Sequence, residues 1–177
     1  MSFGYDENNT GMEPIEAGTY EVYPTKYAAQ NTKRTNKPMI VMNYKIRSDV
    51  QQKSQGQIIQ FDNFVAGEKS QWRFNALTKA TQAFKSGFDF GTPEGWAENM
   101  LGKPIRVKIT IDDKGYPEVR SFLPSENAKM SEQPVIFSHK GVNSAAANAQ
   151  AGMNAASGDP FANNGGPIDI DESQIPF

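Results

Sequence analysis

The stretch EKSQWRFNALTKATQAFKSG, residues 68–87, interrupts a chain that otherwise alternates. Phe74, Leu77, Thr81 and Phe84 fall at three- and four-residue spacing, the period of a helix, and Gly87 supplies a stop. The segment just before it, GQIIQFDNFVA (56–66), has the two-residue period of a strand. Ile59 and Phe61 share one of its faces; Gln60, Asp62 and Phe64 share the other. A helix at this point divides the strands into a group before it and a group after it, and that division sets the fold.

Upstream, Tyr20 and Val22 alternate with Glu21 and Tyr23 from Gly18 onward, and Pro24 marks an edge or a bend. AAQNTKRTNK (28–37) is polar, basic and turn-rich, so a loop is expected. PMIVMNYKIRS (38–48) sets Ile40, Met42, Tyr44 and Ile46 on one face and Asn43, Lys45 and Arg47 on the other; VQQKSQG (50–56) is a turn. Downstream, Thr92, Pro93 and Glu94 supply a cap, a first-turn proline and a first-turn acid for a short helix through Trp96, Met100 and Leu101 to Gly102. KPIRVKITID (103–112) turns Ile105, Val107, Ile109 and Ile111 inward. Asp112, Asp113, Lys114 and Gly115 form a hairpin signal into YPEVRSFL (116–123). PVIFSHK (134–140) is a candidate for one more short strand.

This order predicts a mainly β fold: an OB-fold-like five-stranded Greek-key barrel, with one helix between the third and fourth strands, a short second helix and a disordered C-terminal tail. Another small α+β sheet with a covering helix has the same element order and stays open. Residues 1–16 are expected to form a loose arm and 17–140 the nucleic-acid-binding domain. Residues 141–168, mostly Ala, Asn, Gly, Gln and Ser, hold too few apolar side chains to offset their ordering entropy, so a flexible linker is expected. Residues 169–177 form an acidic tip.

Composition narrows the chemistry. The chain has no Cys, which excludes disulfides, Cys-based zinc sites and thiol nucleophiles. Mean hydropathy is −0.62. No apolar run approaches a membrane span, and MSFGYDENNT lacks a basic-then-apolar signal, so a soluble, cytoplasmic protein is expected. The net charge of −2 hides an asymmetry: all 18 Lys and Arg lie at or before Lys140, while Asp159, Asp169, Asp171 and Glu172 follow it. The single histidine, His139, has no Cys or second His with which to build a metal site or a nucleophile relay. Asp112, Asp113 and Glu118 could hold a metal in a nucleic-acid enzyme, but beside Lys114 and Gly115 the two aspartates read as turn residues. No catalytic residue, metal or cofactor is expected.

The basic and aromatic positions carry the functional reading. Lys33, Arg34 and Lys37 crowd the first loop. Lys45 and Arg47 point outward on the second strand, Arg106 and Lys108 on the fourth, with Tyr23, Tyr27, Phe64 and Tyr116 interleaved. Cations that follow phosphates and rings that stack on bases are what single-stranded nucleic acid requires, and the first loop with the second and third strands is the usual OB-fold surface for it. Tyr44, Phe61, Phe74 and Phe84 are expected in the core, and Trp72 and Trp96 in helix packing.

The last nine residues, DIDESQIPF, resemble the C-terminal tip of bacterial single-stranded DNA-binding proteins, reached here too through a low-complexity linker. The resemblance implies that Asp169, Asp171 and Glu172 meet a basic rim on replication, recombination or repair proteins, while Ile175, Pro176 and Phe177 anchor the tip. Ser173 and Gln174 replace part of the usual acidic run. The folded part, residues 15–123, resembles a family of small phage-encoded single-stranded DNA-binding proteins in GTYEV, NKPMI, FDNF and LGKPIRVKI. It departs from that family at Pro117, in GYPEVRSF, where an Asn-containing motif is common. The expectation is a non-enzymatic single-stranded DNA-binding protein of phage origin, at work in the host cytoplasm, with a strand-annealing accessory as the alternative.

Overall fold

The computed structural model of the protein describes residues 4, 5, 11 and 13–139. The linker at 141–168 and the tip at 169–177 lie outside the described residues. The elements follow in the expected order: β1 (Gly18–Asn31), β2 (Pro38–Ile46), β3 (Ile58–Val65), α1 (Gln71–Thr81), α2 (Pro93–Met100), β4 (Ile105–Ile111) and β5 (Pro117–Pro124). All paired strands are antiparallel, in the sheet order β3-β2-β1-β4-β5. The sheet curls into an OB-like half-barrel, so of the two architectures open to this element order the barrel is the one formed. Among the described residues, no helix is long and apolar enough to cross a membrane.

β1 is long enough to serve two partners. Its first residues pair with β4, Gly18 opposite Ile109 and Val22 opposite Ile105; the rest pair with β2, from Val22 opposite Ile46 to Asn31 opposite Pro38. The strand shifts register between Pro24 and Lys26 as it turns from one partner to the other. Beyond Val22 its free edge is covered rather than exposed. The Gly102 amide donates to Pro24 O at 2.8 Å, the Phe137 amide to Thr25 O at 2.8 Å, and the Thr25 hydroxyl to Val135 O. Within the expected strand at 134–140, the described residues 134–139 therefore contribute a single parallel bridge, Lys26 with Phe137, and not a strand.

Between β3 and β5 the barrel is closed by side chains. The Phe64 ring packs against Phe74 of α1 at 5.4 Å between centroids, Trp96 of α2 at 4.9 Å and Phe122 of β5 at 5.8 Å. Arg73 of α1 donates to Asp62 on β3 and to Val119 O on β5 at 3.1 Å, and the Tyr44 hydroxyl donates to Asp62 at 2.6 Å.

The third strand departs from the expected pattern. Met42 stands opposite Asp62, but Tyr44 stands opposite Ile59, so β3 carries one residue more than β2 over this stretch. The bulge is at Phe61, whose φ is 64°. A one-residue bulge reverses the faces of everything beyond it. Ile59 stays inside, Phe61 is 74% exposed, and Asp62 and Phe64 turn into the core. The expected placements of Phe61 and Phe64 are thus exchanged.

Smaller differences have local causes. α1 ends at Gln82, which takes the left-handed conformation (φ 54°), five residues before Gly87. Phe84 therefore leaves the helix and packs with Phe88 and Phe90 in the following loop. Trp96 is buried as expected, but Trp72 is 61% exposed. Residues 13–16 are tied down rather than loose: Gln57 donates to Glu13 O at 2.8 Å and Lys53 pairs with Glu16 at 2.7 Å. The second helix has its expected cap, with the Gly95 amide donating to Thr92 Oγ1 at 3.0 Å and Pro93 opening the helix.

Candidate nucleic-acid interface

The basic loop is shorter and better built than its composition implies, because β1 runs on to Asn31. The Thr32 amide donates to Lys37 O and the Asn36 amide to Thr32 O, both at 2.9 Å. The Thr32 and Thr35 hydroxyls share a hydrogen bond at 2.6 Å, and Asn36 takes φ 50°, which Asn tolerates better than most residues. Backbone and small polar side chains thus hold the hairpin, and Lys33, Arg34 and Lys37 all stand exposed on it.

From the hairpin, the outer face of the sheet runs along β1, β2 and β3. Register sets Ala28 beside Val41 and Asn63, Lys26 beside Asn43, and Tyr23 beside Lys45 and Ile58. Small and neutral groups occupy the part near the hairpin, and cations the far part. None of Lys26, Lys33, Arg34, Lys37 and Lys45 has an ion pair among the described residues. A groove of about 370 Å³ opens here, lined by Lys26, Asn43, Lys45, Ile58, Gln60 and Phe137. Asn43 Oδ1 accepts the Phe61 amide at 3.2 Å, which holds the bulge in place beside the groove. Phe137, bridged to Lys26, is 58% exposed. Two accessible rings therefore flank a polar, cationic strip.

Most of the expected DNA contacts fall elsewhere, and Tyr23, expected among the interleaved rings, is fully buried. Phe64 is fully buried among the rings that close the barrel and cannot stack on a base. Tyr27 is also buried, its hydroxyl donating to Glu98 at 2.9 Å and its ring lying 4.4 Å from that of His139. Arg106 is engaged by Glu126 and by Pro124 O at 2.9 Å. Lys108 is exposed on β4, opposite Thr19. Tyr116 is exposed on the β4–β5 hairpin, which extends past Gly18, at the end of β1 opposite the basic hairpin. The register keeps these two hairpins apart. Asp112 accepts the amides of Lys114 and Tyr116 at 2.9 and 2.8 Å, the work of a turn residue, and Glu118 pairs with Arg120 at 3.2 Å. The residues expected to bind partners, Asp169, Asp171, Glu172, Ile175, Pro176 and Phe177, lie outside the described residues.

Sequence reasoning sets Asn43 on this face beside Lys45 but misses Phe61, Lys26 and Phe137 as members of it. Lys26 directly follows a bulge, and Phe61 forms one. Phe137 is placed by a bridge to a strand more than a hundred positions away.

Arg47 is the largest correction. Its side chain is fully buried. It donates through Nε and Nη2 to both oxygens of Asp49, each at 2.8 Å, and through Nη1 to Asn127 O at 2.6 Å and Glu21 at 3.3 Å. Glu21 also accepts from the Ser125 hydroxyl at 2.6 Å and the Glu126 amide at 2.7 Å, and Asp49 accepts from the Ser131 amide at 2.8 Å. Arg47 thus fastens residues 125–131 to the barrel and offers nothing to a phosphate.

The Arg47 guanidinium holds the Asp49 carboxyl well below the usual carboxylate range. Unfolded, Asp49 takes a proton near pH 4; folded, it does not. The stability this pair contributes is fully present above about pH 4 and is lost as pH falls toward the folded value. Arg47→Met leaves two buried carboxylates without their cation, and is expected to destabilise the fold by about 3–5 kcal/mol at neutral pH. In this variant the Asp49 contribution to the acid loss disappears. Urea unfolding at neutral and acid pH checks this; an unchanged acid dependence in Arg47→Met would refute it.

Fold and surface together define an OB-like barrel domain with a cationic hairpin and an open face bearing accessible rings. Within that class, residues 3–134 match the family described as protein of unknown function (DUF669), a span that takes in all five strands and both helices; the chain belongs to that family. No curated protein matches it.

Proposed function

We propose that the protein binds single-stranded DNA across the outer face of β1, β2 and β3, without catalysis and without a cofactor. The observation that carries this reading is Phe61, an exposed ring held at a positive φ beside a groove lined by Lys26 and Lys45. Phosphates follow the unpaired cations from Lys45 to the hairpin. Bases stack on Phe61 and Phe137, and Asn43 and Gln60 offer hydrogen bonds to any base. The protein coats and protects strands exposed in phage DNA replication, recombination and repair, in the cytoplasm of the bacterial host. The acidic tip recruits other proteins of those processes.

Titration with labelled oligo-dT, oligo-U and duplex DNA at two salt concentrations tests this. Oligo-dT is expected to bind tightest and duplex weakest. Five phosphate contacts give a slope of about −3.5 in log affinity against log salt. Duplex bound as tightly as oligo-dT would count against the reading. For the tip, deleting residues 169–177 is expected to leave single-strand binding intact or slightly tighter, most visibly at low salt where exposed charges are least screened. The same deletion abolishes recovery of replication or recombination proteins in pull-downs, and loss of Phe177 alone does most of that damage. Equal recovery by all forms would reduce the tip to a solubilising tail.

A further inference from the structure

We propose that the binding site has a second segment: a groove along α1 takes the stretch of single strand that leaves the sheet over the β1–β2 hairpin, with Trp72, on the outer side of α1 next to the groove-lining Gln71, as a stacking platform beside it. This rests on the proposed function and extends it to a part of the surface that the sheet face does not include.

The route is continuous. The turn from β3 into α1 lies against the base of the hairpin, where the Ala66 amide donates to Pro38 O at 2.8 Å. The Lys37 ammonium sits over Gly67, 3.7 Å from where a β-carbon would stand. A strand followed from Lys45 to Lys37 covers eight residues of β2, about 27 Å at the rise of an extended chain. A longer strand that runs on past Lys37 leaves the sheet at this hairpin, and the surface it meets is the start of α1.

That surface has the same chemistry as the sheet face. The inner stripe of α1 is Phe74, Leu77 and Ala80; Trp72, Asn75 and Lys79 lie on the outer side at three- and four-residue spacing. Trp72 is 61% exposed. The other tryptophan, Trp96, is buried and gives its indole N–H to Thr78 Oγ1 at 2.8 Å, as a packing tryptophan does. A groove of about 850 Å³ lies between α1 and the loop that follows it, with Gln71, Asn75, Lys79, Lys85 and Phe88 in its walls. Phe88 is half exposed. Lys69, Lys79 and Lys85 have no ion pair among the described residues. Two acids face the route: Glu68 is exposed at the entrance, and Asp89 in the groove wall is occupied by the Gly91 amide at 2.8 Å. Accessible rings beside lysines, continuous with a cationic hairpin, fit phosphate tracking and base stacking.

The test is intrinsic fluorescence with oligo-dT of about 4 and about 16 nucleotides, the span of site sizes for one such barrel. Because Trp96 is buried, quenching by nucleic acid reports Trp72. The longer oligonucleotide is expected to quench and the shorter to bind without quenching; Trp72→Phe abolishes the quench. Trp72→Ala weakens the longer oligonucleotide about tenfold and leaves the shorter unchanged. The double variant Lys79→Ala, Lys85→Ala lowers the salt slope for the longer one only. Tight binding of the longer oligonucleotide with no quench, or equal effects of Trp72→Ala on both lengths, would overturn the second segment. Failure of both lengths to bind would overturn the proposed function itself.

Discussion

Replacing Phe61 by glycine is expected to make the protein more stable and, at the same time, a weaker ligand for single strands. Phe61 sits at φ 64°, a region that costs an L-residue about 1–2 kcal/mol and glycine nothing. Its ring is 74% exposed, so its removal forfeits little packing. Against this stands the greater freedom of glycine in the unfolded chain, worth about 0.5–1 kcal/mol, which leaves a net gain of up to about 1.5 kcal/mol. Binding moves the other way. Loss of one stacked ring costs about 1–3 kcal/mol, or about 5- to 150-fold in affinity. The salt slope stays the same, because a ring releases no counterions. Phe64→Ala, just beyond the bulge, reverses both effects: it destabilises by about 3–5 kcal/mol and leaves the affinity of the folded protein alone. Urea unfolding and oligo-dT titration of the two variants check all four outcomes. If Phe61→Gly kept full affinity, the exposed ring would have no part in binding. Strain held where glycine would fold better is the pattern of a site kept for function.

Replacing Lys33, Arg34 and Lys37 together by alanine is expected to have the largest effect on affinity. The hairpin is held by its backbone and by Thr32, Thr35 and Asn36, so the three side chains come off with little change in stability. Each cation withdrawn from a phosphate lowers the salt slope by about 0.7, so the slope falls by about 2. At about 0.05 M salt that corresponds to two to three decades of affinity, shrinking as salt rises. Arg47 and Arg106, already paired within the barrel, are expected to leave the slope unchanged when replaced. A triple variant with wild-type slope would make the hairpin ordinary solvated surface.

The element order and most of the core are legible in the sequence because they follow from local periods. Ile40, Met42, Tyr44 and Ile46 are buried as their alternation requires, and so are Phe74 and Leu77 as theirs does. What is not legible is whatever a distant segment decides. Arg47 alternates outward with Lys45, yet residues 125–131 close over it and turn a candidate phosphate ligand into a buried clamp. The bulge at Phe61 leaves only a faint trace in the sequence. FDNF offers two aromatics of opposite parity with one acid between them, and the barrel buries the register in which Asp62 meets Tyr44 and Arg73. The basic hairpin lies where its sequence places it because its polarity and turn residues are local. The rings that accompany it do not, because one depends on a register shift and the other on a long-range bridge.

Photo-cross-linking of the intact protein to a short oligo-dT, followed by mapping of the linked residues, tests the central claim most directly. Cross-links are expected on the peptides that carry Phe61 and Phe137, with none on the β4–β5 hairpin that carries Tyr116. Cross-links confined to that hairpin, with Phe61 and Phe137 untouched, would contradict the account.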